Sequence, residues 1–218
     1  MKQKPCLLAR FAESRRAGRA DIIIKELKKL FPNVKIALNY KTPLELLIAV
    51  IMSAQSQDKQ VNIITQDLFK KYKTIKDYIK TPLFEFEQDV KRIGLYRAKA
   101  KNIKATVEII DREHGGKVPD SMDELLKLPG VGRKTANVVL YCIYGKTEGI
   151  AIDTHARRLS KLFGLTKTAD VVKIEKDLME ILPKKYWGEI TYLLAEYGRQ
   201  YCTARCKHVD CPLRIFIV

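Results

Sequence analysis

Residues 125–140, Leu125-Leu126-Lys127-Leu128-Pro129-Gly130-Val131-Gly132-Arg133-Lys134-Thr135-Ala136-Asn137-Val138-Val139-Leu140, constrain this chain more than any other stretch. Two segments of helical apolar period flank a four-residue hinge, Pro129-Gly130-Val131-Gly132. Ser121 and Glu124 stand at capping-box spacing ahead of the first segment and mark its start. Pro129 stops that helix, and the glycines permit positive φ and a close backbone approach. A glycine in a helical pattern costs about 1 kcal/mol relative to alanine, so two around one valine need a reason. A tight turn into a second helix leaves unpaired N–H groups at that helix's start, and these suit one phosphate of a nucleic-acid backbone. A bare G-x-G is more often an ordinary interhelical turn. Here Arg133 and Lys134 follow at once, on a very basic chain, and the balance moves to phosphate.

That basicity matters because 41 Lys+Arg against 25 Asp+Glu leave a formal net charge of +16 on 218 residues. Solubility alone needs less. A polyanionic partner is expected, nucleic acid first and an anionic membrane surface second. No apolar run approaches the length of a transmembrane helix. The N-terminus, Met1-Lys2-Gln3-Lys4-Pro5-Cys6-Leu7-Leu8-Ala9-Arg10, is basic but lacks the apolar core of a signal peptide, so a cytoplasmic protein is expected. Of the cysteines Cys6, Cys142, Cys202, Cys206 and Cys211, three cluster near the end; in a reducing compartment that hints at metal rather than disulfides.

Residues 1–20, with Arg10, Arg15, Arg16 and Arg19, read as a basic N-terminal arm, solvated or frayed, with phosphate contact as the lesser reading. From Asp21, the residues Ile22, Ile23, Ile24, Leu27 and Leu30 predict an amphipathic helix ending near Phe31-Pro32. Thr42-Pro43-Leu44-Glu45 is a second capping box with proline at the first helical position. It opens an almost wholly apolar helix to Met52, fit for the middle of a bundle. That helix ends in Ser53-Ala54-Gln55-Ser56-Gln57-Asp58, a polar cluster delivered to a surface or cleft. Residues 57–72 predict a helix, Thr74 caps a short one through Tyr78, and Thr81-Pro82 restarts the chain. Lys91-Arg92-Ile93-Gly94-Leu95-Tyr96-Arg97 is another glycine turn between helices. An apolar side chain on a basic loop can wedge between base steps, although most such leucines are core. A long helix then runs to His114-Gly115-Gly116, a strong stop. The helix from Arg133 ends at Gly145, with Cys142 on its apolar side. Asp153 follows an apolar run and is an N-cap. Thr168 or Asp170 opens a helix to Leu182-Pro183, and the last helix runs roughly from Trp187 to Tyr201. With no convincing alternating strand, the chain is all-α.

Four segments, Ser53-Ala54-Gln55, Gly94-Leu95-Tyr96, Leu128–Ala136 (L-P-G-V-G-R-K-T-A) and Asp153-Thr154-His155, resemble the endonuclease III family of helix-hairpin-helix DNA glycosylases. The resemblance covers nearly the whole chain from about Asp21. It implies a helix-hairpin-helix at 121–145 whose Gly130, Val131, Gly132, Arg133 and Thr135 contact DNA, with His155 as a further contact. It implies that Gln55 fills the gap left by a flipped nucleotide and that Leu95 is the wedge. By the same resemblance Lys134 attacks C1′ of the damaged nucleotide and expels its base, Asp153 assists, and the imine loses its 3′ phosphate by β-elimination.

Elementary chemistry supports those two roles. The positive end of the helix dipole, with Arg133 beside it, disfavours charge on a first-turn lysine, and a neutral amine suits Schiff-base chemistry. The competing reading is a charged, phosphate-contacting lysine. Removing a base from deoxyribose develops positive charge at the sugar, which a carboxylate 19 positions downstream at Asp153 could stabilise. Capping and stabilising are compatible, because the cap holds the carboxylate still.

The family's terminal cysteines, spaced C-x6-C-x2-C-x5-C, hold a [4Fe-4S] cluster. Here the spacing is Cys202-x3-Cys206-x4-Cys211; matching Cys211 to the third ligand puts His208 at the second position and Ile217 at the fourth. Three readings stand: a decayed site whose cysteines survive as small buried residues, which leads; a three-cysteine cluster with an unusual fourth ligand; or zinc held by Cys202, Cys206, His208 and Cys211.

The combined expectation is an all-α chain of two helical lobes with the active site in the cleft between them. Residues 43–147 form the helical domain with the hairpin, and 21–42 plus 148–218 form the second lobe with the cysteine segment. The expected activity is a bifunctional base excision repair glycosylase and AP lyase, acting as a monomer on oxidised pyrimidines and abasic sites in duplex DNA. Cytoplasmic location, nucleoid-associated in a prokaryote, follows from that partner, and no membrane is involved. The alternatives are a monofunctional thymine or adenine mismatch glycosylase and a non-catalytic DNA-binding module.

Overall fold

The structure, a computed structural model, describes residues 7–218, with side chains from residue 15 onward. Eleven α-helices and no strand form among the described residues: α1 (Leu7–Leu30), α2 (Pro43–Ser53), α3 (Asp58–Lys71), α4 (Ile75–Lys80), α5 (Leu83–Val90), α6 (Tyr96–His114), α7 (Met122–Leu126), α8 (Arg133–Tyr144), α9 (Thr154–Leu162), α10 (Val171–Ile181) and α11 (Ile190–Gln200). None of them is long and apolar enough to cross a membrane. The chain divides into two compact units, one spanning Ile36–Glu148 and the other formed by the chain up to Lys35 with Gly149–Val218.

In the unit Ile36–Glu148, α2 is the central rod. Thr42 caps it, accepting from the Glu45 N–H at 3.2 Å, and Pro43 supplies its first turn. Its residues Leu46 through Met52 are all buried, each large aliphatic among them contributing about 1.5–3 kcal/mol relative to exposure. Helices α3, α6 and α8 pack around it, and α4 and α5 pack on α6. Thr74 and Asp77 close a reciprocal capping box on α4. The double glycine stop of α6 works as its sequence demands: Gly115 takes φ +57° and the Gly116 N–H reaches back to the Ile110 carbonyl at 3.0 Å.

In the other unit, α1, α9, α10 and α11 enclose a core that includes Ile23, Leu27, Leu159, Phe163, Leu178 and Tyr197. Helix α1 begins at Leu7, upstream of the start expected at Asp21. Residues 1–6, Cys6 among them, and the side chains through residue 14, Arg10 included, lie outside the described residues. From Arg15 on, the stretch read as a frayed arm is part of α1, because Ala17 and Ala20 continue its apolar face onto the core. At the far end, α11 starts at Ile190 rather than Trp187. A 3-10 turn, Lys184–Tyr186, intervenes, and the Trp187 indole N–H is tied back to the Leu182 carbonyl at 2.9 Å.

Candidate functional site

The hinge at 129–132 is fastened from below. Thr106 on α6 donates its hydroxyl to the Pro129 carbonyl at 2.8 Å, and the Val131 side chain is buried. The two glycines differ. Gly130 adopts φ +79°, and a β-carbon there would lie 3.0 Å from Asn102 Nδ2 and 3.1 Å from Asn102 Cβ, so both conformation and space demand glycine. Gly132, at φ −95°, is an extended N-cap whose missing β-carbon would meet nothing within 4 Å. Having no side chain, Gly132 cannot cap α8, so the first turn presents backbone donors that no N-cap oxygen accepts. Arg133 and Lys134 stand exposed in that turn, Thr135 is half-buried, and no acidic residue offsets the helix dipole there.

Gln55 and Leu95 lie in two loops of the same unit that touch. A β-carbon at Gly94 would come within 3.6 Å of the Gln55 carbonyl, and both loops line one shallow pocket with Arg92 and Gln60. Both side chains are exposed, Leu95 by 62%. Gln55 sits at φ +53° and Leu95 at φ +57°, a left-handed conformation that costs a non-glycine residue about 1–2 kcal/mol. Among the described residues the only other non-glycine at positive φ is His208. Such strain persists where the surroundings over-determine it, and it gathers at functional positions.

Asp153 caps α9, accepting from the Ala156 N–H at 2.7 Å, and remains half-buried. His155 stands in the same first turn with its ring laid on Gly198 of α11, where a β-carbon would collide with Nδ1. About one turn further along α9, Arg158 donates to the Cys202 carbonyl and reaches Cys202 Sγ at 3.5 Å. Asp153, His155 and the cysteine segment therefore share one unit, while Gln55, Leu95 and the hairpin from Gly130 to Thr135, Lys134 included, belong to the other.

Cys202, Cys206, His208 and Cys211 converge, with their four donor atoms all within 4.8 Å of one another. Cys202 and Cys211 are buried in the core of their unit, and Cys206 and His208 are half-buried. This group can hold a metal. It does not fit the family's [4Fe-4S] cluster, which takes four thiolates: only three are present, and the fourth family position is the apolar Ile217.

Sequence reasoning missed the supporting residues. Lys99 is only 5% exposed, although its charge marks it for the surface. Its Nζ donates to the Met52 carbonyl and to Ser56 Oγ, both at 2.8 Å, and burial pushes its amine below the ordinary lysine range. The available signal was positional: Lys99 falls on the same face of α6 as Ile103, Thr106 and Ile110. Asn102, Arg158 and Gly198 left no such trace, because their roles depend on partners far along the chain.

Residues 48–184 match the family described as HhH-GPD superfamily base excision DNA repair protein. Endonuclease III of Bacillus subtilis (strain 168) is 45% identical over 195 residues, covering 88% of this chain and 89% of the relative. A non-covalent endonuclease III–DNA complex superposes with a TM-score of 0.88 at 43% identity, covering 92% of this chain and 94% of that one. A trapped endonuclease III–DNA covalent intermediate superposes with a TM-score of 0.86 at 44% identity, covering 90% and 93%. With the hairpin, the capping Asp153 and the lysine at the head of α8 all in place, the chain belongs to the endonuclease III family within the HhH-GPD superfamily of base excision DNA repair proteins.

Proposed function

We propose that this chain is a bifunctional DNA glycosylase and AP lyase that removes oxidised pyrimidines from duplex DNA and cleaves the strand 3′ to the abasic site. The observation that carries the reading is Lys134, an exposed amine in the first turn of α8 directly after an uncapped glycine hairpin. The hairpin's backbone donors bind one phosphate of the damaged strand, and Arg133 and Thr135 add side-chain contacts. Gln55 and Leu95 occupy the space vacated by the flipped nucleotide, offsetting an unstacking cost of a few kcal/mol that is smaller for a damaged base. His155 is a further DNA contact.

Lys134 Nζ attacks C1′ as the glycosidic bond breaks and the base leaves with a proton. Asp153 stabilises the positive charge that develops on the sugar. The sugar ring then opens as the C1′–O4′ bond breaks and O4′ takes a proton, which gives the imine; loss of a C2′ proton from it expels the 3′ phosphate, and water hydrolyses the imine to free the lysine. A monofunctional mismatch glycosylase has no need of an amine at this position, so Lys134 favours the lyase. Such a substrate places the protein with the genome, in the cytoplasm and on the nucleoid if the cell is prokaryotic.

Borohydride trapping on a duplex carrying one abasic site tests the reading. Wild-type protein should form a covalent adduct that Lys134→Ala abolishes while duplex binding survives. An adduct persisting in Lys134→Ala means another nucleophile, and none in wild type means a binder or a monofunctional enzyme. Affinity should also fall steeply with salt.

A further inference from the structure

We infer that Cys202, Cys206, His208 and Cys211 form a mononuclear structural zinc site in the position where relatives carry an iron–sulfur cluster. The inference is independent of the enzymatic reading. Its first support is spacing. Zinc binds thiolate sulfur at about 2.3 Å and imidazole nitrogen at about 2.0–2.1 Å in a tetrahedron, so neighbouring donors around one ion lie roughly 3.4–3.8 Å apart. Here Cys202 Sγ and His208 Nδ1 are 3.4 Å apart and Cys211 Sγ and His208 Nδ1 3.8 Å, within that spacing, while Cys206 Sγ and Cys211 Sγ, 3.2 Å apart, are closer than it and would open by about half an ångström around an ion. No pair exceeds 4.8 Å. A four-iron cluster interposes its own iron and sulfide between the cysteines and would hold them further apart.

The second support is the donor set, three thiols and one imidazole, a common closed zinc combination. The third is backbone geometry. His208 is held at φ +61°, and its N–H donates to Cys206 Sγ at 3.2 Å. That strained turn brings the histidine back onto the cysteine two residues before it, which a relaxed helix or strand would not do. Packing of spare thiols in a core requires none of this, since small buried cysteines need no imidazole brought among them.

Three thiolates around a dication leave one net negative charge, and the Arg158 guanidinium at 3.5 Å from Cys202 Sγ lies where that charge would be offset. Because Arg158 belongs to α9, the ion would fasten the segment after α11 to the helix that Asp153 caps. Half-burial of Cys206 and His208 leaves the ion a way in.

The experiment is metal analysis with acid-labile sulfide on the full chain, purified without chelator from cells supplied with both iron and zinc. Close to one equivalent of zinc per chain is expected, with no sulfide and no visible iron–sulfur charge-transfer absorption. Cobalt added to the stripped protein should give the intense visible bands of a tetrahedral, thiolate-rich site. His208→Ala should lose most of its zinc, whereas His114→Ala, which alters a half-buried histidine of the other unit, should keep it. If His208→Ala fails to fold, thermal unfolding of the wild type with and without a strong chelator decides: a drop in midpoint of several degrees that zinc reverses is the expected result. Iron with sulfide in stoichiometric amount, a Cys206–Cys211 disulfide, or a metal-free protein whose stability ignores zinc would each overturn the inference.

Discussion

Lys99 Nζ and Ser56 Oγ are 2.8 Å apart, and the same amine donates to the Met52 carbonyl at 2.8 Å. One buried cation in the first turn of α6 thus closes the carbonyl end of α2 and pins the turn that carries Gln55. Leu95 is the N-cap of α6, so the clamp joins the two proposed plugging residues at their roots. Both sit at positive φ, and a conformation costing about 1–2 kcal/mol at each needs such a restraint. Lys99→Met keeps the volume but leaves the Met52 carbonyl without its amine donor. We expect base excision to fall about tenfold, equivalent to about 1.4 kcal/mol, while trapping on an abasic duplex, which has no base to flip, falls less. A fluorescent adenine analogue opposite or beside the lesion should report weaker flipping. Equal loss in both assays would make Lys99 a general stability element instead.

The two hairpin glycines should separate fold from function. Gly130→Ala forces a β-carbon against Asn102 in a left-handed conformation; we expect a loss of about 1–2 kcal/mol in stability, measured by thermal unfolding. Gly132→Ala has room and an ordinary φ, so the unfolding midpoint should barely move. Duplex affinity should nevertheless drop about tenfold or more, because the new methyl group would crowd the phosphate that the proposed reading seats on this backbone. Normal DNA binding by Gly132→Ala would mean that the phosphate lies elsewhere.

The local signals in the chain were legible. Glycine stops at 115 and 145, the Asp153 cap, the Thr74 capping box and the apolar run of α2 all follow from residues within a few positions of one another, where backbone preference and hydrogen bonding act without tertiary help. Long-range pairings were not legible. Lys104 donates to the carbonyls of Ile79 and Thr81 and so closes α4 from 23 or more positions away, and Gly198 exists as a seat for His155. The C-terminal site lies between these cases: its residues were readable, but their convergence depends on the positive φ of His208, which no residue preference announces.

Tyr78 carries a second kind of test. Its ring stacks on Tyr72 with centroids 4.9 Å apart and meets Phe86 edge-on, yet its buried hydroxyl finds no hydrogen-bond partner among the described residues. Burying an unpaired hydroxyl costs about 1–3 kcal/mol, so Tyr78→Phe should stabilise the protein by about 1 kcal/mol and raise the midpoint by a few degrees. A lower midpoint would show that the hydroxyl is bonded. The same burial raises the phenol's pKa. The folded state therefore holds this proton more tightly than the unfolded state, and its contribution is complete below the ordinary phenol value of about 10 and lost as pH rises above it. Phenolate absorbance should accordingly rise in two phases, exposed tyrosines first and Tyr78 only on alkaline unfolding, with the late amplitude smaller in Tyr78→Phe.

Asp153 combines a cap with a charge, and substitution can split them. Asparagine caps a helix about as well as aspartate, so Asp153→Asn should keep the bond to the Ala156 N–H, now 2.7 Å, and leave the unfolding midpoint almost unchanged. Alanine removes the cap as well, at about 0.5–2 kcal/mol. If the carboxylate stabilises charge on the sugar, both variants should lose base excision by a similar large factor, at least about a hundredfold, and both should still bind duplex. If Asp153 only holds α9 in place, Asp153→Asn should stay active and Asp153→Ala alone should fail. Single-turnover excision beside thermal unfolding for the pair separates the two outcomes, because only the electrostatic role predicts a dead enzyme with an intact helix.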